Sequence, residues 1–195
     1  VIFVGKSAAG KDHARKICEQ WLEIPYQVSY TTRPPRENEQ NGLDYNFISL
    51  DSAIHEYIEK DRFYQHVVFN GWVYGTTREQ MAVENACFIM TPAAVAQLTE
   101  IDRNESLIIY LDIEEEIRRN RIYERNQCDD SVDRRMEADF VDFEGFSDYD
   151  ERITNPRFYI SDVWEIVAEH MDFPAKHKFI VGNNRSLIKA YNLLD

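Results

Sequence analysis

The chain has 195 residues, 35 acidic against 22 basic side chains, and a formal net charge of −13 at pH 7. That balance argues against general nucleic-acid binding, which draws on basic surfaces, and no apolar run reaches the roughly 18 residues of a membrane-spanning helix. A hydrophobic content of 44% suits one domain with a substantial core, and the distant Cys18, Cys87 and Cys128 read as reduced cytoplasmic thiols, without metal-ligand spacing.

The chain opens inside an apolar run, Val1-Ile2-Phe3-Val4, so a few residues are expected before Val1. No signal peptide is expected, which fits a cytoplasmic protein. Next comes Gly5-Lys6-Ser7-Ala8-Ala9-Gly10-Lys11-Asp12, leading into helix-compatible sequence at residues 12–23. Gly-x-x-x-x-Gly-Lys after a strand and before a helix is the spacing of the Walker A phosphate loop. Its glycines let successive N–H groups face phosphate oxygens, the helix start adds its dipole, and Lys11 adds a mobile charge for β- and γ-phosphates. Asp12 stands where that motif has a magnesium-touching Ser or Thr.

Further strands are expected at 26–30 and 44–49, and a helix capped by Asp51 running to about residue 60. Residues 63–69 and 72–74 flank Asn70-Gly71, a hairpin signal. Thr77 is placed to cap a helix at 78–85. Short apolar runs at 87–90 and 107–111 read as buried parallel strands, with a helix at 92–99 between them. Helices follow at 114–125, 130–143 and 158–171, then a strand at 178–181, a turn at Gly182–Arg185 and a helix from Ser186. The alternation predicts an α/β fold, a parallel sheet with helices on both faces, interrupted by a small β-containing insertion.

Two arginines, Arg33 and Arg36, sit on a Pro-stiffened loop, Ser29-Tyr30-Thr31-Thr32-Arg33-Pro34-Pro35-Arg36. Their planar forks suit a phosphate, although a solvated basic loop explains them equally when they are taken alone. Downstream stand Asn41-Gly42-Leu43-Asp44-Tyr45-Asn46-Phe47 and Tyr74-Gly75-Thr76-Thr77, rich in hydroxyl donors.

In order and spacing these three segments, with the phosphate loop, resemble guanylate kinase. The resemblance runs from Val1 to about Asn155 and is densest over residues 26–80. It implies a phosphate-loop kinase core at 1–30, 86–118 and 148–195, a monophosphate-binding insertion at 31–85 and a helical lid at 119–147. It assigns Ser29, Arg33, Arg36, Tyr45 and Tyr74 to the acceptor's phosphate, Thr76 and Gln65 to its base, and Asn155 to the adenine side. Arg121, Arg125 and Arg135 match lid arginines that, with Lys11, neutralise the transferring group. The run including Arg118 and Arg119 has the competing reading of a solvated face balanced by residues 114–116. ATP, magnesium and a nucleoside monophosphate are the implied ligands; oligomeric state is not indicated.

The chain departs from that pattern in three places. Asp12 replaces the metal-touching hydroxyl, and the segment ending Met90-Thr91-Pro92 lacks the acidic residues expected there. The two changes are expected to be coupled, with Asp12 supplying the metal's carboxylate. Gln65 replaces a base-reading Glu. Guanine offers two donors on one edge, whereas a carboxamide has one acceptor and one donor group, so guanine specificity is questioned. The functions in view are a nucleoside monophosphate kinase of guanine or other base specificity, or a decayed guanylate-kinase-like interaction module.

Overall fold

The computed structural model describes residues 1–124 and 132–170, so the strand, turn and helix expected beyond residue 177 lie outside it. The first apolar run forms β1 (Ile2–Gly5), buried at every position. Burial of consecutive residues requires cover on both faces, as in a central parallel strand. After the loop the chain enters α1 (Lys11–Trp21), which buries Ala14, Ile17 and Cys18 at helical spacing. Gly10 starts that helix at φ 106°, and a Cβ there would meet the Phe158 ring at 3.0 Å.

The strand expected at 26–30 is broken. Tyr26 makes an isolated parallel bridge with Cys87, whereas β2 (Tyr30–Thr31) pairs in a second sheet with β3 (Asn46–Phe47). The break has a long-range cause: the Val28 carbonyl accepts from the Asn46 and Gln80 side-chain amides, at 2.7 Å each. The next helix is capped by Ser49 rather than Asp51. The Ser49 hydroxyl accepts from the Ser52 N–H at 3.0 Å, starting α2 (Leu50–Ser52), which widens into a π turn at Ala53–Ile58.

The hairpin forms as expected between β4 (Phe63–Phe69) and β5 (Trp72–Thr77), with Asn70 and Gly71 at φ 50° and 78°. Thr77 then caps α3 (Arg78–Met81) in a reciprocal capping box with Gln80. After β6 (Phe88–Met90) the helix expected at 92–99 is the shorter α4 (Pro92–Val95), and Thr99 caps a second helix that was not anticipated, α5 (Glu100–Asn104). Then come β7 (Ile108–Leu111), α6 (Glu115–Glu124), α7 (Val132–Asp142), β8 (Glu151–Ile153) and α8 (Ile160–His170). The short, charged β8 was not anticipated.

The core sheet is parallel in the order β6-β1-β7-β8, and the second, mixed sheet runs β3-β2-β5-β4. On one face of the core sheet Phe3, Ile109 and Leu111 pack with Ile17 of α1 and Val163 and Val167 of α8. On the other, Ile2, Val4 and Ile108 pack with Phe88, Met90, Ala94 and Val95. β1 thus delivers its following loop to the carboxyl edge of a parallel sheet, where α/β folds bind ligands.

Candidate active site

A cavity of about 280 Å3 opens between the loop after β1, the second sheet and α7. Gly5, Ser7, Ala8 and Lys11 line it from the loop side. Lys11 folds back along the loop, its Nζ donating to the carbonyls of Gly5 (2.5 Å) and Lys6 (3.0 Å). Ala9 is fully buried in the core, and Lys6 sits 5.9 Å over the Phe143 ring.

Asp12, expected to hold the metal, is not among the residues that line this cavity. It lies on the first turn of α1 with its side chain 57% exposed, held by Arg15 Nε at 2.7 Å and Lys16 Nζ at 2.9 Å. Burial works against its charge, but Lys16 and Arg15 outweigh this and hold the carboxyl below its usual range. The spacings of three and four residues that make these ion pairs local to the helix are the physical reason.

Opposite the loop, Ser29, Arg33, Arg36, Tyr45 and Tyr74 line the cavity together, and Arg135 reaches it from α7. Glu39 organises the basic loop. Both its oxygens accept from Arg33 Nη2 at 2.8 Å, and it also accepts from the Arg36 backbone N–H at 2.9 Å. Arg33 lies 5.4 Å over the Tyr45 ring, which meets Tyr74 edge-on at 5.9 Å. Burial first, then the proximity of Arg33, draws the Arg36 and Arg135 guanidiniums below their usual range, and Arg135 adds to the effect on Arg36. Three guanidiniums thus gather at one side of the cavity, a grouping whose planar forks suit an anion. Burial also pushes the Tyr45 phenol up to about 12, keeping it a neutral donor.

Gln65 lines the same cavity from β4 and is 5% exposed. Its Nε2 donates to Thr76 Oγ1 at 3.0 Å, whereas its buried Oε1 has no partner among the described residues. An orphaned buried acceptor costs about 1–3 kcal/mol, so this oxygen is poised for a donor on a ligand. Thr76, expected to touch the base, is buried behind Gln65 and acts on it.

Other expected residues lie elsewhere. Arg121 does not line the cavity: its Nη1 donates to the Ala8 carbonyl at 2.9 Å and its Nη2 to that of Pro156. Asn155 is exposed and closes a turn with Arg157, accepting its N–H at 3.0 Å. Arg125 lies outside the described residues. Arg118, read alternatively as part of a solvated face, is 3% exposed and donates to Asp139 Oδ2 at 2.7 Å. Asp139 also accepts from the Ser7 N–H at 2.9 and 3.0 Å and from Ser7 Oγ at 3.0 Å. Asp139, Glu39 and Asp142, which also lines the cavity, were not singled out in the sequence. The one sequence cue for Asp139 is that it falls one helical turn after Arg135.

Fold and cavity together define a phosphate-loop α/β protein with an arginine-lined cavity facing the loop. The family model for guanylate kinase matches residues 1–171. The chain is 32% identical over 165 residues to a guanylate kinase of a Nostoc species, covering 81% of this chain and 82% of that protein. It is 28% identical over 154 residues to the guanylate kinase of Sus scrofa, covering 74% and 76%. The crystal structure of guanylate kinase from Anaplasma phagocytophilum superposes with a TM-score of 0.64 at 21% identity, covering 88% of this chain and 87% of that one. The chain belongs to the guanylate kinase family and is a phosphotransferase of the nucleoside monophosphate kinase class. Among the described residues no helix is long and apolar enough to cross a membrane.

Proposed function

We propose that this chain transfers the γ-phosphoryl group of ATP to the phosphate of a nucleoside monophosphate. The observation that carries the reading is one cavity with the phosphate loop and Lys11 on one side and Arg33, Arg36 and Arg135 on the other. The acceptor is already an anion, so the protein needs no general base. Its work is alignment and charge neutralisation. Lys11 exchanges its loop carbonyls for phosphate oxygens, Arg36 and Arg135 take the acceptor phosphate, and Tyr45 and Tyr74 donate from the side.

Magnesium enters with ATP and neutralises phosphate charge. Among the described residues no three ligating side chains cluster. Asp139 and Asp142 line the cavity; with Asp139 paired to Arg118 at 2.7 Å, Asp142 would be the carboxylate to take the cation.

The names of the relatives put GMP first among acceptors to test. Gln65 supports a second reading of the base. Its free oxygen accepts one donor, and its amide group cannot accept another, so a base edge pairing one donor with one acceptor fits better than two adjacent donors. The test is coupled phosphorylation of a panel of ribo- and deoxynucleoside monophosphates with magnesium-ATP. Turnover of at least one is expected; failure of every monophosphate sinks the kinase reading, and exclusive use of GMP sinks the reading of Gln65.

A further inference from the structure

The phosphate loop carries a conformational fault. Ala8, between its two glycines, stands at φ 58°, the left-handed region that costs an L-residue with a Cβ roughly 1–2 kcal/mol. Side chains hold the peptide groups around it, Arg118 Nη1 reaching the Ser7 carbonyl of the peptide just before Ala8 at 3.4 Å. On the N-terminal side Asp139 takes the Ser7 N–H with both carboxylate oxygens and the Ser7 hydroxyl with one. On the C-terminal side Arg121 Nη1 donates to the Ala8 carbonyl at 2.9 Å. Arg118 neutralises Asp139 at 2.7 Å and is itself fixed on the Ile113 carbonyl at 2.9 Å.

These partners come from α6 and α7, the elements on either side of residues 125–131. We infer that Asp139 and Arg121 are positioning residues that impose the strained Ala8 conformation on the loop, and so preset it for the phosphates of ATP. The same contacts tie the loop to the helix that carries Arg135, four residues before Asp139 and on the same helix face. The donor loop and the acceptor-side arginine therefore share one support. This inference rests on the reading that the loop holds nucleotide phosphates.

The test removes each clamp and asks whether glycine at position 8 restores what was lost, since glycine reaches this φ without a Cβ penalty. Replacing the buried pair together, Asp139→Leu with Arg118→Met, leaves no unpaired buried charge and keeps the variant foldable. Arg121→Gln removes the other clamp alone. Two readouts are followed on the full chain well below its melting temperature: hydrogen exchange over residues 5–12 without ligand, and affinity for a non-hydrolysable ATP analogue with magnesium.

Each variant is expected to speed exchange in the loop and weaken the analogue about tenfold, with affinity for the preferred monophosphate in the Arg121→Gln variant nearly unchanged. Adding Ala8→Gly is expected to recover at least about threefold of the analogue affinity. Unchanged exchange and affinity in both variants overturn the inference, as does a loss that Ala8→Gly does not touch, which is the signature of general destabilisation. If the unaltered chain binds no analogue but loop exchange still quickens and is then restored by Ala8→Gly, the clamp stands and the kinase reading falls.

Discussion

Gln65→Glu is the substitution that most sharply examines how the base is read. Gln65 is 5% exposed, its Nε2 is engaged with Thr76 at 3.0 Å, and its Oε1 has no partner among the described residues. Against guanine, one of two adjacent donors finds the oxygen and the other meets the amide group. Glutamate supplies two acceptors, with the Thr76 hydroxyl turning to donate to one of them. The change removes a donor–donor conflict and adds one hydrogen bond to a charged acceptor, worth about 1.5–3 kcal/mol. At about 1.4 kcal/mol per decade this is roughly 10- to 150-fold. GMP and IMP differ only by the 2-amino group that supplies the second donor. The ratio of kcat/KM for GMP over IMP, measured with saturating magnesium-ATP, is therefore expected to rise by that factor in the variant. Gln65→Leu is expected to lower both values together. A GMP-to-IMP ratio that stays level or falls in Gln65→Glu refutes the reasoning.

The remaining predictions concern charge. Arg36→Ala and Arg135→Gln each remove a charge-assisted contact to the acceptor phosphate, so initial-rate kinetics should show KM for the monophosphate raised about tenfold or more, with ATP affected less. Asp12→Ala should leave the magnesium dependence of turnover unchanged and lower stability by less than about 1 kcal/mol, because its partners are Arg15 and Lys16 at a solvated helix surface; a sharply raised magnesium requirement would restore Asp12 to the metal. The Tyr45 phenol is held neutral by burial, its pKa raised from 10.0 to about 12. Its contribution is therefore intact below pH 10 and lost as pH rises through about 12, at about 1.4 kcal/mol per pH unit. Urea denaturation of Tyr45→Phe should show a shallower alkaline decline; an unchanged slope would show that Tyr45 ionises as freely folded as unfolded.

Much of the molecule is written locally. The hairpin at Asn70-Gly71 and the Thr77 cap follow from residues within a few positions of each other, and both form where the pattern puts them. The Gly-x-x-x-x-Gly-Lys spacing behind a buried strand announces the loop, and the arginines of a stiffened segment announce the arginine-lined side of the cavity. What the pattern misplaced depends on distant partners. Whether residues 26–30 continue as a strand is decided by the Asn46 and Gln80 side chains that take the Val28 carbonyl. The charged strand β8 exists because β7 offers it an open edge.

The same division holds in the site. Sequence by itself determines which chemistry is available: a phosphate loop, a set of arginines, a carboxamide for the base. It leaves Asp12, Arg118 and Arg121 ambiguous, because a charged side chain finds its partner in space. Asp12 finds Arg15 and Lys16 on its own helix, Arg118 finds Asp139 across a buried junction, and Arg121 finds the loop backbone. The first follows from spacings of three and four residues on one helix; only the tertiary structure decides the other two. A buried charge must be matched wherever the fold brings an opposite charge or a carbonyl within reach, and that reach is set by packing rather than by distance along the chain.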